Sequence, residues 1–519
     1  MVRSAGGGGH QAAPGVSAAR MPPLGGDDLQ AAPGLKADQI LKGRSMSEDR
    51  LPSRSENFSD WYNQLVLKAE LADYGPVRGT MVVRPYGWTL WENITAALDQ
   101  RFKATGHVNA AFPLLIPMSF LQKEKDHVEG FSPQLAVVTV GGGEELEEPL
   151  VVRPTSETVI GHMYAKWIQS HRDLPVLINV WNSVVRWELR TKLFLRTTEF
   201  YWQEGHTAHA TAEEAQAETR QMLEVYADFA ENEAAVPVIM GRKSESEKFA
   251  GGVNSYSIEA MMGDTKALQA GTSHYLGQNF ARAFSIQYLD HENTQQYVST
   301  TSWGLSTRFV GAIIMVHGDK QGLALPPRLA PFQVVIVPIY KNEEHKSAVL
   351  EQTEVIRQAL EGFRVKVDDR EEVTPGFKFN DWEMRGVPLR IEIGPKDVEQ
   401  SRVTLSRRDE KGRSSAPVEG VAAVVQATLD EIQASMLAKA RAFMQENTHD
   451  PADYAEFQEV VKTGWADVWW CGRADCEAEI KQETKATNRV IPLDQPSGEG
   501  VCIHCGDPAT ERAIFARAY

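Results

Sequence analysis

The chain has 519 residues, 42% hydrophobic and 24% charged, a globular composition with material for about two to four domains. Its formal net charge of −16 excludes a protein that coats nucleic acid through a general positive field, although a tRNA or another structured RNA can still be gripped by a local basic patch. No apolar run approaches the ~20 residues of a membrane-spanning helix, and all four cysteines fall after residue 470, which excludes a disulfide scaffold and points to a reducing, cytoplasmic setting. The first 45 residues are rich in Gly, Ala and Pro and hold no aromatic residue. Such a segment cannot bury enough apolar surface to offset its ordering entropy, so disorder is expected over 1–45. Met46 directly precedes the first patterned sequence, so an appended or misassigned start is one reading of this tail.

Periodicity begins near residue 56. SDWYNQLVLKAEL (59–71) predicts a helix with Ser59 as its N-cap. GTMVVRPYGWTLWENITAALDQRF (79–102) reads as a short strand turning through Pro85 into a helix. FPLLIPMS (112–119) and EPLVVRPTSE (148–157) predict buried strands. Between them Gly141–Gly143 predicts a hairpin turn and not a phosphate cradle, because no GK[ST] follows. Residues 211–235 form the clearest helix, with a capping box at Thr211 and Glu214 and a packing stripe of Met222, Val225, Tyr226 and Phe229. TSWGLSTRFVGAIIMVHGD (301–319) runs from strand or loop into a buried segment. Three prolines in GLALPPRLAPFQ (322–333) mark a boundary. Beyond it FQVVIVPIY reads as a central parallel strand. The alternation that follows predicts a small α/β domain of about 100 residues, closed by a helix near 419–446.

Two constellations carry chemistry. Cys471 and Cys476 are spaced C-x4-C, and Cys502 and Cys505 are C-x2-C. That pattern suits a tetrahedral site of four thiolates, and with no position left for water the zinc is structural. His504 is a spare ligand that the four thiolates make unnecessary. The second constellation is VVRWELRTKLFLRTTEFYWQEGH (184–206), in which Arg186, Glu188, Arg196, Phe200, Trp202, Glu204 and His206 all carry even numbers. In a β-hairpin, period two would put each strand's set on one face. Arginine forks suit phosphates, a ring face suits a base and a carboxylate suits an amine, so a nucleotide fits. An amphipathic surface hairpin with salt bridges fits the stretch alone equally well. Its neighbours favour the ligand: RPTSETVIGH (153–162) offers Thr and Glu at a strand-to-helix turn, QAGTSHYLG (269–277) is a small-residue loop, and Arg308 is a further cation.

In chain order, VVRPYGWTLWENI, RPTSET, VVRWELR with FLRTTEF, WQEGHTAHAT, EKFAGG, ALQAGTSHYLGQNF, and TSWGLSTR with GAIIMVHGD closely resemble the prolyl-tRNA synthetases of archaeal/eukaryote-like type. The resemblance runs from about residue 56 to Tyr519. It implies an α+β class II synthetase catalytic domain on an antiparallel sheet with helices (46–325), an α/β anticodon-binding domain (332–436) and a small α/β zinc-binding C-terminal domain (437–519). It also implies ATP and Mg²⁺ alongside the structural Zn²⁺, L-proline and tRNA(Pro) as substrates, and a homodimer packed through the strand near Arg84 and Pro85.

By that resemblance, Arg186 meets the proline carboxylate and the ATP α-phosphate, Glu188 the adenine or ribose, Arg196 the outer phosphates and Arg308 the γ-phosphate with Ser306 nearby. Thr197 lines the nucleotide, Phe200 stacks on adenine, and Gln269 with Thr272 contacts ATP and its metal. Thr155 and Glu157 take the imino group of proline. Trp202, Glu204, His206, His274, Phe131 and Phe249 shape the pocket around its ring. In the anticodon domain Lys378, Arg385 and Arg390, interleaved with Phe379 and Trp382, suit a splayed RNA loop, although neighbouring acids also suit a solvated face.

VNSYSIEA (253–260) departs from the pattern of relatives, so Glu259 is not assigned as a metal ligand. The stretch from His206 to Trp303 leaves no room for the editing domain that bacterial-type relatives insert. A methylene difference is worth only about 1–3 kcal/mol, so a separate trans-editing protein is expected to clear Ala-tRNA(Pro). The competing readings are a related class II synthetase for another amino acid and a synthetase-like binding or regulatory protein. Threonyl enzymes typically hold a catalytic zinc in the pocket, whereas every cysteine here lies in the last domain. Regulatory relatives usually lose the phosphate arginines, whereas Arg186, Arg196 and Arg308 are all present.

Overall fold

The computed structural model describes residues 51–122 and 135–519; the disorder expected over 1–45 and the site residue Phe131 lie outside the described residues. Among the described residues, eleven strands share one sheet. From one edge their order is Val108–Asn109, Val176–Val185, Glu199–His209, Ser299–Ser306, Ala267–Gly277, Asn254–Met261, Val238–Arg242, Thr487–Pro492, Glu511–Ala516, Trp465–Trp470 and Thr448–His449. The outermost pair at each end is parallel and every other pairing is antiparallel. The cysteine-bearing region therefore does not fold apart: Ile491 and Pro492 pair with Arg242 and Gly241 and extend the large sheet. Gly241 permits the junction, since a Cβ there would lie 2.6 Å from the Ile491 carbonyl.

One face of the sheet is covered by the helices Pro85–Ala104 and Ala212–Asp228. The expected capping box forms at the start of the second, with the Glu214 amide donating to the Thr211 hydroxyl at 3.2 Å and the Thr211 amide to the Glu214 carboxylate at 3.3 Å. Met222, Tyr226 and Phe229 are fully buried in the core, with Val225 packed beside them. Trp303, also fully buried, packs edge-on to Tyr226 and tilted against Phe102. It sits opposite Gly205 on the neighbouring strand. With Trp303, Tyr226 and their neighbours filling one face, the even-numbered residues of Glu199–His209 are turned to the other.

Two strand expectations need correction. Glu144–Val152 is buried only toward its end, at Val151, and Glu144, Glu145, Glu147 and Glu148 face solvent. Leu115–Pro117 buries Ile116 and leaves Leu115 exposed. Both belong to a three-stranded side sheet whose outer face is open, so apolar residues there do not mark a core strand. The Gly141–Gly143 turn does form, with Gly142 and Gly143 at φ +64° and +91° between the paired Gly141 and Glu144. The first helix is Phe58–Lys68, capped by Asn57, which accepts the Asp60 amide at 3.0 Å. Ser59 is inside it, and its hydroxyl takes the Lys192 ammonium at 3.1 Å.

The 322–333 connection is a packed element, with Leu323, Leu325, Leu329 and Ala330 buried. It leads into a five-stranded sheet in which Val365–Val367, Val334–Pro338 and Leu389–Ile393 are parallel and Arg402–Arg407 and Ser414–Pro417 continue antiparallel. Val334–Pro338 is buried throughout, as its unbroken apolar run predicts. The helix Val421–Glu446 then continues without interruption past residue 436 toward the cysteine-bearing region.

The Gly205–Trp303 contact makes a stability prediction. A Cβ at Gly205 would lie 2.0 Å from the indole, so Gly205→Ala is expected to cost about 1–3 kcal/mol through overpacking. Equilibrium urea denaturation measures it; a variant as stable as the parent contradicts this packing.

Candidate active site and cysteine centre

The strand Val176–Val185 ends just before Arg186, so the expected shared face holds for Phe200, Trp202, Glu204 and His206, while Arg186 is set by the loop that follows. Its backbone N–H donates to the Thr198 carbonyl at 2.8 Å and its Nε to the Pro154 carbonyl at 3.0 Å. The guanidinium carbon lies 5.4 Å from the Phe200 ring centroid and 5.3 Å from that of Trp202, within cation–π range. Burial lowers its proton affinity, against the charges of Glu157, Glu204 and Glu188. A guanidinium keeps its charge at neutral pH all the same.

Glu204 is the hub of one wall. Its carboxylate accepts the Ser156 amide at 3.1 Å, the Ser156 hydroxyl, and the Asn182 side-chain amide at 2.6 Å, and lies 3.1 Å from His206 Nε2. Asn182 in turn accepts the Trp202 indole N–H at 2.6 Å. Ser156 and Asn182 escaped sequence reasoning. The signal for Asn182 is its register, directly opposite Trp202. Beside this hub, Glu157 opens the helix Glu157–Trp167 and accepts the Thr155 hydroxyl.

The two pocket histidines are pushed in opposite directions. Burial disfavours the His206 imidazolium, but the hydrogen bond and charge of Glu204, with Glu157, outweigh it and raise the pKa. His274 is pushed down to about 4, chiefly by burial, with Arg186 and His206 adding repulsion against the pull of Glu157. Its Nδ1 lies 2.8 Å from the Ser255 hydroxyl, and the Phe249 ring stacks on it at 4.7 Å.

On the other side, Arg308 starts the helix Arg308–His317. It donates through Nε to the Leu195 carbonyl at 3.0 Å and through its backbone N–H to Ser306 Oγ at 3.2 Å. Burial and the charges of Arg196 and Arg186 push it down to about 10. Arg196 is exposed at the hairpin tip, where its backbone exchanges hydrogen bonds of 2.7 and 2.9 Å with Lys192. Arg190, Lys192, Arg196, Leu268, Arg308 and Tyr519 line a cavity of about 250 Å³. Tyr519 is anchored by its hydroxyl to Asp264 at 2.7 Å and lies under Lys192 and Lys266. Thr197 is buried and donates to the Glu199 carbonyl at 2.7 Å. Thr272 and Gln269 share the strand Ala267–Gly277, with Gln269 opposite Glu259. Arg489 at 3.1 Å and Lys243 at 3.4 Å already claim the Glu259 carboxylate.

The three RNA-facing candidates are committed inside the fold. Lys378 is buried and donates to the Asp368 carbonyl at 2.9 Å. Arg385 bridges Asp381 and Glu70. Arg390 pairs with Glu383 and Glu392 at 3.0 Å each, and its guanidinium carbon sits 4.1 Å from the Phe379 ring centroid. Trp382 is also buried and donates to Asp368. Alternation of acids with cations reflected internal pairing, which spacing in the sequence cannot distinguish from an open face.

The sulfurs of Cys471, Cys476, Cys502 and Cys505 all lie within 4.8 Å of one another, and those of Cys471 and Cys505 are 3.8 Å apart. A tetrahedron with Zn–S bonds of ~2.3 Å has edges of about 3.8 Å, so four thiolates at this spacing fit zinc. His504 Nδ1 lies 3.5 Å from Glu479, outside the sulfur cluster.

An antiparallel sheet that brings arginines from a hairpin and from a following helix to one cleft, joined to a five-stranded α/β unit, is the architecture of the class II aminoacyl-tRNA synthetases. Residues 139–317 match the tRNA synthetase class II core domain (G, H, P, S and T), 333–428 the anticodon binding domain, and 454–519 the C-terminal family of prolyl-tRNA synthetase. The chain is 56% identical over 480 residues to the proline–tRNA ligase of Roseiflexus castenholzii, covering 91% of this chain and 100% of that one. It is 57% identical over 477 residues to that of Symbiobacterium thermophilum, covering 90% and 97%. With the chloroplastic/mitochondrial proline–tRNA ligase of Arabidopsis thaliana it shares 54% over 498 residues, covering 94% and 91%. The chain belongs to the proline–tRNA ligase family.

His274 makes a pH prediction. An unfolded imidazole takes its proton near pH ~6.5, whereas folded His274 does so only near about 4. As pH falls through that window the unfolded state gains a proton that the folded state refuses, so stability drops. His206 has the opposite sign, its contribution present at low pH and lost as pH rises through its raised value. His274→Asn is expected to lose less stability on acidification than the parent when urea midpoints are compared across the window. Parallel pH profiles would show that other groups carry the effect.

Proposed function

We propose that the chain is an ATP-dependent proline–tRNA ligase, which activates L-proline as prolyl-adenylate and transfers it to the 3′ end of tRNA(Pro). The observation that carries this reading is the opposed pair Glu157 and Arg186 in one buried pocket, with Trp202, His206, His274 and Phe249 around it. Proline is a zwitterion at neutral pH, so its site needs an anion for the ammonium, a cation for the carboxylate and apolar walls for the ring. Glu157 with Thr155 supplies the first and Arg186 the second. Glu204, with its lone pairs filled by Ser156, Asn182 and His206, acts by holding the wall in place.

Catalysis is positioning and charge neutralisation. A carboxylate oxygen of proline attacks the α-phosphorus in line, the bond to the bridging oxygen breaks, and pyrophosphate leaves. Arg186 spans the attacking carboxylate and the α-phosphate, while Arg196 and Arg308, with Ser306 beside it, neutralise the outer phosphates. Phe200 offers a face to adenine, Glu188 a carboxylate to the base or ribose, and Thr197, Gln269 and Thr272 line the nucleotide. The terminal hydroxyl of tRNA(Pro) then attacks the adenylate carbonyl and AMP departs. Mg²⁺ would supply further neutralisation of the phosphates, with Gln269 and Thr272 to help hold it, since Arg489 and Lys243 already claim Glu259. Cys471, Cys476, Cys502 and Cys505 would hold Zn²⁺ in a structural role, with no open position for water.

The division into a catalytic domain (46–325), an anticodon-binding domain (332–436) and a zinc-binding domain (437–519) follows the same reading. In the second of these Lys378, Arg385 and Arg390 act by holding the fold through their internal pairs, not as open cations for RNA. Homodimerisation is supported by exposed apolar side chains beside Arg84, with Tyr74 59% and Val82 51% exposed on the ribbon Ala72–Tyr74/Met81–Val83. A cytoplasmic location belongs to the same reading; among the described residues no helix is long and apolar enough to cross a membrane. Clearance of Ala-tRNA(Pro) falls to a separate trans-editing protein.

Proline alone among the amino acids is expected to drive strong ATP–pyrophosphate exchange, and Arg186→Ala to lower its kcat/KM by about 10²–10³-fold. Exchange driven by threonine, or none with any amino acid, refutes the reading. Elemental analysis of the purified protein is expected to give about one zinc per chain, and Cys476→Ser to lose most of it; metal far below one equivalent in the parent contradicts the four-thiolate site.

A further inference from the structure

We propose that Glu477, in the cysteine-bearing module, is a positioning residue for the proline pocket. It acts through the irregular connection between the strands Val238–Arg242 and Asn254–Met261, which carries Phe249 at its middle. This rests on the proline-pocket reading given above.

The connection is held by the module at three points, one of them the more exposed ion pair of Lys481 with Glu247 at 3.6 Å. At its start, the buried Lys243 ammonium donates to the Arg489 carbonyl at 2.6 Å, on the strand Thr487–Pro492 that extends the large sheet. One residue on, the Ser244 and Ser246 hydroxyls donate to the two oxygens of the buried Glu477 carboxylate at 2.9 and 3.0 Å. Hydrogen bonds to an ionised acceptor are shorter and about twice as strong as neutral ones. Glu477 belongs to the helix Ala474–Thr484, so its position is that of the module and not of the catalytic core.

The middle of the connection is part of the pocket. Phe249 stacks on His274, and its backbone N–H donates to Ser255 Oγ at 2.9 Å, the same hydroxyl that lies 2.8 Å from His274 Nδ1. A connection without helix or strand has no ladder of its own to hold Phe249 in register. Glu477 supplies the fixed point, three residues before the ring, that a regular element would otherwise provide. Arg186, Arg196 and Arg308 have anchors of their own, through the carbonyls of Pro154 and Leu195 and at the hairpin tip. The consequence is selective: loss of Glu477 loosens the wall against the proline ring and leaves the phosphate cations in place.

The test uses the full-length, zinc-replete protein and pyrophosphate exchange with proline and ATP varied separately. Glu477→Ala is expected to raise KM for proline about tenfold, as loss of charge-assisted hydrogen bonds implies, with KM for ATP unchanged and with faster hydrogen–deuterium exchange over residues 243–252. Glu477→Gln, which keeps an acceptor oxygen, is expected to recover most of the shift. Ser244→Ala/Ser246→Ala is expected to reproduce it, and adding Glu477→Ala to that pair to add nothing. Glu483→Ala, on the same helix but bonded to Tyr454, is expected to change neither KM. An unchanged proline KM in the serine double variant, equal shifts for ATP and proline, or additive effects would each overturn the proposal. Should Glu477→Ala fail to fold, the serine variant decides alone. A parent enzyme without proline-dependent exchange refutes the function itself; an active parent with unshifted variants refutes only the role of Glu477.

Discussion

A carboxylate taken out of water must have its lone pairs filled, and at Glu204 the groups that fill them are the pocket itself. Ser156 comes from the start of the helix Glu157–Trp167, Asn182 from the neighbouring strand, and His206 from the same strand two residues on. Through Asn182 the network reaches the Trp202 indole. Four groups that line one cleft are thus tied to one buried charge. Glu157, one residue from Ser156, inherits its position from the same bond. Low dielectric makes such a network strong when complete and costly when broken, which suits a rigid wall.

The second constraint is the sheet. A strand edge seeks a partner, and the edge of Val238–Arg242 finds it in Thr487–Pro492, more than 200 residues away in the chain. That pairing makes the cysteine-bearing module part of the catalytic layer. It explains why Arg489 neutralises Glu259, and why Tyr519 lies against Lys192 and Lys266. A metal ion held by the four thiols of such a module would stabilise a wall of the site as well as its own loops. Gly241 and Gly205 are the points at which these layers approach too closely for any side chain.

Much of this was legible in the chain. Apolar runs such as Val334–Pro338 and the stripe Met222–Tyr226–Phe229 identify core elements because burial demands a period that matches the backbone. The capping box at Thr211 and the glycine turn at 142–143 are local chemistry and formed as read. The strands expected over 112–119 and 148–157 lie at Leu115–Pro117 and Glu144–Val152 in a side sheet that is exposed at Leu115 and Glu148, because apolar content alone does not say which face is covered.

What the sequence by itself determined were the parts whose physics is local or whose residue types are unmistakable: the even-numbered face of Glu199–His209, the four thiols and the arginines of the hairpin. Tertiary structure alone decided who partners whom. Lys378 and Arg390 read as open cations until the fold buried them against Asp368, Glu383 and Glu392. Asn182, Ser156 and Glu477 read as ordinary polar residues until the fold set them against Glu204, Ser244 and Ser246. Hydrogen bonds and ion pairs have a reach of about 3–4 Å. Whether two residues fall within it depends on chain segments brought together by the sheet, which no spacing along the chain encodes.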